Sequence, residues 1–376
     1  MAKTLHPNRK FGDDILQLPI TDRVEFFADK QIKHQILSQA YDELLMKAKK
    51  IGGVEFIEMV GPTGAGKSCA ARKFVEDKLA ESQESMKNDP RMVPVISVQC
   101  PASIGGKFAW DPLLKSILRT GGDALIDSGS YALEFSEGVS QKEISKLLLK
   151  DNKVSDLVEV IQNFLFQRQV RYLIIDEAQH IIDACRTPLE ALQCMELLKS
   201  LASLSGCIIV LVGTYRLLRF GETSAQLGRR SEIIELGPYH RGSQKDLDHF
   251  AYALDGLLAR YPIRFSDALF DKVSEIHLGC CGCIGILKDW LTKTLYRTLE
   301  SGGDYVSVKS LMDNRMDPRE LNRVAAEIKM GKDYFSRVTM FDVEDMLLGG
   351  GTQIHKKSGP RGVQRKPSHD PVGPQL

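Results

Sequence analysis

Short apolar runs alternate with amphipathic helical segments through the middle of the sequence. The runs with the length and continuity of strands buried on both faces are 54–60, 93–98, 172–177, 207–214 and 233–236. The segments between them place apolar residues on one helical face, for example Leu157, Ile161 and Phe164. This alternation predicts an α/β fold in which a five-stranded parallel sheet is flanked by helices.

The segments on either side of this α/β core are predicted to be helical. Residues 1–19 are polar and irregular, whereas Asp22 to Lys50 follow a helical pattern, and 241–300 is predicted to be all helix. The end of the chain is rich in Gly, Pro, Lys and Arg, which predicts a disordered basic tail. The predicted division is an N-terminal helical extension at 1–50, the core at 51–240, a helical lid at 241–300, a C-terminal helical extension at 301–348 and the tail at 349–376.

Composition and charge are those of a soluble globular protein. The 376 residues are 43% apolar and 26% charged, with a formal net charge of +1. A nucleic-acid surface would therefore be a local patch and not a global excess of positive charge. Several of the eight cysteines lie in or beside predicted core strands, as is typical of a reducing compartment. No run approaches the roughly 18 apolar residues of a membrane span, and the N-terminus lacks an apolar signal core, so we expect a cytoplasmic protein.

The first predicted strand leads into a glycine-rich loop that a helical segment follows. The loop reads Gly61-Pro62-Thr63-Gly64-Ala65-Gly66-Lys67-Ser68, which is the G-x-x-x-x-G-K-[ST] pattern of a P-loop in its strand–loop–helix setting. The glycines let successive N–H groups face an anion, and the helix N-terminus adds positive charge. The alternative is an ordinary glycine turn. The residues expected to bind ATP are Gly61, Gly64, Ala65, Gly66, Lys67, Ser68 and Cys69, with Lys67 on the β- and γ-phosphates and Ser68 on Mg²⁺.

The third predicted strand ends in two carboxylates, Asp176 and Glu177. At the carboxyl end of a buried strand, Asp176 is expected to hold Mg²⁺ directly or through water. Glu177 is placed to orient or deprotonate the attacking water. Acidic residues are also common at strand ends, but the preceding P-loop favours the catalytic interpretation.

Two further sites follow from the fourth and fifth strands. Thr214 ends the fourth strand, where its side chain lies beside the γ-phosphate or instead caps the next turn. Arg229 and Arg230 directly precede the fifth strand. From that position in a five-stranded P-loop domain, an arginine is expected to reach the γ-phosphate bound by a neighbouring subunit.

Two weaker signals concern nucleic acid and metal. Lys107, Lys115, Arg119 and Thr120 supply groups suited to DNA phosphates, although scattered surface lysines more often only solvate the protein. The cluster of His277, Cys280, Cys281 and Cys283 lacks two separated Cys-x-x-Cys pairs and lies in an apolar segment. The pattern favours small core residues over a zinc site.

These motifs together resemble the AAA+ ATPases, and within them the TniB/TnsC family of transposition regulators, which are relatives of MuB. The resemblance covers roughly residues 20–300. It rests on the P-loop, on Leu173 to Ala178, on Ile209 to Thr214 with Arg216-Leu217, and on the lid segment Gly282-Cys283-Ile284-Gly285.

The resemblance implies an ATPase that regulates DNA transposition. Family members form rings or helical filaments on double-stranded DNA, with ATP between subunits and an arginine finger from the neighbour, here Arg229 or Arg230. They connect a TniQ-like targeting protein, sometimes with a CRISPR effector, to the transposase. By position, Lys107 and Thr120 would face the DNA backbone.

One position departs from the family pattern. The lid residue after Gly285, often an arginine in the family, is Ile286 here, and Lys288 lies nearby. Hydrolysis is therefore expected to be slow or controlled by a partner. Two alternatives remain open, namely a helicase loader or similar DNA-associated AAA+ protein, and a scaffold that binds ATP without hydrolysing it.

Overall fold

A computed structural model describes residues 3–29, 32–103, 108–126, 154–221 and 230–336. Its contacts divide the chain into two units, Met1–Lys332 and Asp333–Leu376. Every contact discussed below lies within the first unit. Lys107, Arg229 and the basic tail at 349–376 lie outside the described residues.

Five parallel strands form the central sheet, as the apolar runs predicted. Numbered along the chain, the strands are β1 (Lys3–Thr4), β2 (Phe56–Val60), β3 (Val95–Gln99), β4 (Tyr172–Asp176), β5 (Ile208–Gly213), β6 (Ser231–Glu235), β7 (Arg264–Ser266) and β8 (Tyr305–Val306). The central sheet has the order β3-β4-β5-β2-β6, and every neighbouring pair is parallel. Every residue of β2 and β5 is buried, and apart from Glu58 and the terminal Gly213 all of them are apolar, as expected for strands buried on both faces.

Helices cover both faces of this sheet and build the lid. They are α1 (Asp13–Leu16), α2 (Ile20–Asp29), α3 (Gln35–Lys47), α4 (Lys67–Glu81), α5 (Gln83–Asn88), α6 (Trp110–Ile126), α7 (Val154–Gln167), α8 (Gln179–Asp183), α9 (Pro188–Ser205), α10 (Gln244–Leu258), α11 (Val273–Gly279), α12 (Ile284–Glu300), α13 (Val308–Asp313) and α14 (Pro318–Ser336). Local sequence sets several of their ends. For example, the Thr187 hydroxyl caps the start of α9, Pro188 follows it, and Gly206 ends the helix in the left-handed conformation.

The lid contains a small sheet that the sequence analysis did not predict. β1 pairs antiparallel with β7, and β7 pairs parallel with β8. The predictions that 241–300 is all helix, that 301–348 is a helical extension and that 1–19 is irregular are therefore wrong at these strands. Strands of two or three residues are too short to show an alternating pattern, and their partners are far away in the sequence.

The lid core draws on segments from both sides of the lid. Phe27 of α2 and Ile32 pack in the same buried cluster as Leu287 and Trp290 of α12. Val324 of α14 belongs to this cluster as well. The helix α14 is thereby anchored to the lid.

The suggested metal cluster of the lid is a set of core side chains. Nε2 of His277 lies 2.7 Å from the carbonyl oxygen of Tyr239, and Cys280 is fully buried. Across the described ranges, no three His, Cys, Asp or Glu side chains are arranged to hold a metal ion. The helices within those ranges also include none with the length and apolar character to cross a membrane.

One buried acid makes the stability of the central sheet depend on pH. Glu58 of β2 is 2% exposed, and its Oε2 has no hydrogen-bond partner among the described residues. Burial raises the pKa of Glu58 to about 7 from its usual value of 4.5. Between these values the folded protein binds more protons than the unfolded chain, so its stability falls as the pH rises through this window.

We expect the Glu58→Gln variant to lose this pH dependence. At pH 8 it should be more stable than the wild type by about 2 to 3 kcal/mol, because an amide carries no charge to bury. Urea unfolding between pH 5 and 8 measures the difference, with Glu25→Gln as an exposed control. Parallel stability curves for Glu58→Gln and the wild type would contradict this assignment.

Candidate nucleotide-binding site

The glycine-rich loop joins β2 to α4 at the carboxyl edge of the central sheet. Gly66 precedes the first residue of α4 and has a φ of 103°, a conformation that L side chains rarely adopt. The loop therefore turns directly into the helix N-terminus, where unpaired N–H groups and the helix dipole favour an anion. This is the geometry that the sequence pattern predicted.

The Lys67 side chain is folded over the loop. Its Nζ donates hydrogen bonds to the carbonyl oxygens of Gly61 and Pro62, both at 2.9 Å. The side chain is 9% exposed, and burial lowers the pKa of Lys67. Nearby carboxylates oppose this shift in pKa, in the order Glu327, Glu177 and Asp176. The ammonium is thus close to the acidic pair that the sequence analysis singled out.

Asp176 is the last residue of β4, and Glu177 follows it. The Glu177 N–H donates to Oδ1 of Asp176 at 2.8 Å. The backbone of Glu177 has a φ of 54°, in the left-handed region that non-glycine residues seldom adopt. The surrounding structure holds Glu177 in this conformation, which fixes the direction in which its carboxylate points.

Gln179 connects this acidic pair to the end of β5, and the sequence analysis missed it. Its Nε2 donates to Oε2 of Glu177 at 2.5 Å, and its Oε1 accepts from the Thr214 N–H at 3.2 Å. The residue is 6% exposed. The only sequence signal was a polar residue two positions after Glu177, next to His180.

The Thr214 hydroxyl caps a short 3₁₀ helix, Tyr215–Arg219, by accepting from the Arg216 N–H at 3.5 Å. This is one of the two arrangements that the sequence left open. A hydroxyl that accepts a hydrogen bond still has its own proton to donate. Capping and contact with a phosphate are therefore compatible roles for Thr214.

The lid touches the P-loop directly. The Gly285 N–H, at the start of α12, donates to the carbonyl oxygen of Gly64 at 2.8 Å. Ile286 is 3% exposed and packs close to Gly64. Lys288 donates instead to the carbonyl oxygen of Ala28. An apolar side chain thus occupies the lid position where the resemblance leads one to expect an arginine.

A cavity lies beside the N-terminus of α4. Its volume is about 530 Å³, and it is lined by Ile32, Lys33, Leu37, Ser38, Tyr41, Asp42, Cys69, Ala70, Lys73 and Asp77. Six of these ten residues carry a polar or charged group, and the apolar part of the lining is Ile32, Leu37, Cys69 and Ala70. Cys69, which follows Ser68 of the P-loop, lines one part of this cavity.

Arg230 lies at the opposite end of the sheet. Its carbonyl oxygen accepts from the N–H groups of Glu55 and Phe56, at the beginning of β2, whereas the P-loop follows the end of β2. Its guanidinium forms a 2.8 Å ion pair with Glu55 and is 49% exposed. Arg230 is therefore separated from the P-loop of its own subunit by the length of the strand.

The predicted DNA contacts that the structure describes lie on α6. Leu114 and Leu118 are buried, whereas Arg119 and Thr120 are exposed on the outer face. Nζ of Lys115 forms a 2.9 Å ion pair with Asp111. The helix thus presents one exposed cation and one exposed hydroxyl next to each other.

Comparison with known proteins identifies the domain type. The family model described as "AAA domain" matches residues 52–220. With the five-stranded sheet and the P-loop, this gives the chain an AAA P-loop fold. No curated protein matches the chain by sequence.

Several solved structures are similar in fold but share little sequence. A Walker-type ATPase of Pyrococcus abyssi has a TM-score of 0.48 and 14% identity, covering 88% of this chain and 89% of its own. The ORC2 protein of Aeropyrum pernix, in ADPNP–ADP complexes, has a TM-score of 0.45 and 14% identity over 78% and 73%. Drosophila ORC bound to DNA has a TM-score of 0.44 and 11% identity over 94% and 89%.

Proposed function

We propose that this chain is an ATP-hydrolysing switch that assembles through its nucleotide sites on double-stranded DNA. In this role it regulates transposition by linking a TniQ-like target-selection protein to a transposase. The observation that supports the switch is that Arg230 lies at the opposite end of the sheet from the P-loop of its own subunit. An arginine at that end of the sheet can serve a nucleotide only in a neighbouring subunit. ATP would then stabilise the contact between subunits.

The residues at the carboxyl edge supply the groups that phosphoryl transfer needs. The P-loop and Lys67 would bind the phosphates, and the Ser68 hydroxyl and the Asp176 carboxylate are the hard oxygen ligands that Mg²⁺ prefers. Bound Mg²⁺ would neutralise charge on the β- and γ-phosphates. Glu177 would orient the attacking water. The Gln179 amide, which also bonds to the Thr214 backbone, would hold the Glu177 carboxylate in place.

The DNA part of the proposal rests on the family resemblance and on α6. Exposed Arg119 and Thr120 are suited to contacts with the phosphate backbone, which are largely independent of sequence. Lys107, which lies outside the described residues, is proposed for the same role. Binding of this kind weakens steeply as the salt concentration rises.

A second candidate function is a scaffold that uses ATP without hydrolysing it. Ile286 at the lid position favours this alternative, because it brings no positive charge to the phosphates. The two functions differ in turnover. Release of phosphate from ATP, measured with and without DNA, supports the switch, whereas tight ATP binding without release supports the scaffold.

Electron microscopy of the purified chain with linear duplex DNA tests the proposed function. We expect rings or filaments on DNA with ATP or a slowly hydrolysed analogue, and none with ADP, because only a triphosphate reaches the neighbour's arginine. The Lys67→Ala variant should form none under any condition. Monomers with every nucleotide, together with binding to a replicative helicase, would favour a loader. Normal assembly of Lys67→Ala would contradict the switch.

A further inference from the structure

An acidic side chain contacts the glycine-rich loop that is built to bind anions. Both the backbone N–H and the hydroxyl of Thr63 donate to Oε2 of Glu327, each at 3.2 Å. Glu327 lies on α14, which follows the lid, and is separated from Thr63 by 264 residues. A carboxylate in this position takes a donor from a loop whose N–H groups otherwise serve phosphate oxygens.

The contact lies at the end of the loop where the terminal phosphates would bind. In a P-loop the lysine reaches the β- and γ-phosphates. Nζ of Lys67 donates to the carbonyl oxygens of Gly61 and Pro62, the two residues before Thr63. The other carboxylate oxygen of Glu327, Oε1, is buried and has no hydrogen-bond partner among the described residues. This carboxylate therefore lies next to the part of the loop that Lys67 contacts, and its second oxygen lacks the partner that a purely structural contact would give it.

Three residues on one face of α14 hold this helix against the lid, the P-loop and the end of β5. Val324 packs in the lid core, Glu327 contacts the P-loop three residues later, and Gly331 follows after one more turn. A Cβ atom at Gly331 would lie 2.4 Å from two ring carbons of Tyr215, the residue after Thr214. Only a glycine lets the helix approach Tyr215 this closely. The helix thus spans the lid, the P-loop and the end of β5.

We propose that Glu327 is a specificity-determining residue that makes the site discriminate a nucleoside triphosphate from a diphosphate. Its carboxylate occupies the region of the γ-phosphate, so ATP binds only after Glu327 has left the loop. ADP lacks the γ-phosphate and binds with the contact in place. Displacement of α14 would therefore report that a triphosphate is bound. This inference rests on the proposed nucleotide site.

The Glu327→Gln variant tests the proposal by removing the negative charge and keeping the size of the side chain. Affinities are measured by titration calorimetry of the full chain with Mg²⁺ and either a slowly hydrolysed ATP analogue or ADP. We expect affinity for the ATP analogue to rise about tenfold, and affinity for ADP to change less than about twofold, because only the γ-phosphate is repelled. Glu320→Gln, which changes an exposed acid of the same helix that pairs with Arg323, is the matched control.

A second variant moves the helix without changing any charge. Gly331→Ala places a methyl group against the buried Tyr215 ring and should push α14 away from the loop. We expect Gly331→Ala to raise the ratio of the affinity for the ATP analogue to the affinity for ADP, as Glu327→Gln does. Circular dichroism is used to confirm that the variant is folded. An equal change for both nucleotides in Glu327→Gln would overturn the proposal. So would a loss of hydrolysis with unchanged affinities, since Glu327 would then act on the attacking water.

The outcomes separate this inference from the proposed function. A wild-type chain that binds neither nucleotide refutes the nucleotide site, and the role of Glu327 falls with it. A wild-type chain that binds both nucleotides, with an affinity ratio that Glu327→Gln leaves unchanged, refutes only the role of Glu327.

Discussion

Replacing Glu177 with glutamine is expected to lower the rate of ATP hydrolysis by a factor of about 10² to 10⁴. The glutamine keeps the size of the side chain but has no carboxylate to take a proton from the attacking water. The Gln179 amide that contacts Glu177 can still hydrogen-bond to the new side chain. Binding of ATP should therefore be retained, since Lys67 and the loop are unchanged.

The consequence for assembly distinguishes this variant from one that cannot bind ATP. If hydrolysis releases the subunits, Glu177→Gln should trap rings or filaments on DNA, and they should persist long after the wild-type assemblies have dissociated. Phosphate release and electron microscopy over time measure the two effects. Glu196→Gln, which changes an exposed acid on α9, serves as the control. A variant that hydrolyses ATP at the wild-type rate would remove Glu177 from the reaction.

Replacing Arg230 with alanine is expected to reduce hydrolysis in assembled subunits by a factor of about 10³ or more, if Arg230 is the arginine that reaches the neighbour. The isolated subunit should bind ATP as before, because Arg230 lies at the other end of β2 from its own P-loop. Loss of the ion pair with Glu55, which is about half exposed on the arginine side, should cost little stability. Arg229→Ala is the parallel variant, and the larger loss identifies the finger.

Mixing two inactive variants tests whether the arginine acts on a neighbouring subunit. Subunits with Arg230→Ala retain an intact Glu177, and subunits with Glu177→Gln retain an intact Arg230. In a random equal mixture, about a quarter of the contacts between subunits pair an intact catalytic residue with an intact arginine. We expect hydrolysis to recover to about that fraction of the wild-type rate. No recovery would show that each site uses only residues of its own chain.

These expectations connect the site to a single sequence of events. ATP would displace Glu327, bring the neighbour's arginine onto the γ-phosphate and stabilise the assembly on DNA, and hydrolysis would reverse these changes. The lid would contribute through Gly285 and Ile286, which contact Gly64 without adding charge. Positive charge for the reaction would then come from Lys67, from Mg²⁺ and from the neighbouring subunit.

The sequence by itself determined the central sheet and the position of the P-loop and the acidic pair at its carboxyl edge. The strands β2 and β5 are buried on both faces, so burial selects runs that are apolar at nearly every position and that a single sequence reveals. The P-loop is equally local, because its N–H groups belong to consecutive residues and its helix begins at Lys67. Asp176 was visible for the same reason, as the polar end of an apolar run.

Only the tertiary structure decided which distant groups meet in the lid and at the nucleotide-binding site. The pairing of β1 with β7, the link from Gln179 to Thr214 and the contact of Glu327 with Thr63 join residues far apart in the sequence. Their energy comes from single hydrogen bonds and short strand pairs, which leave no periodic pattern in the sequence. The path of the chain between sheet and lid determines whether such groups come within hydrogen-bonding distance. The P-loop could therefore be predicted from eight consecutive residues, whereas the acidic residue that contacts it could not.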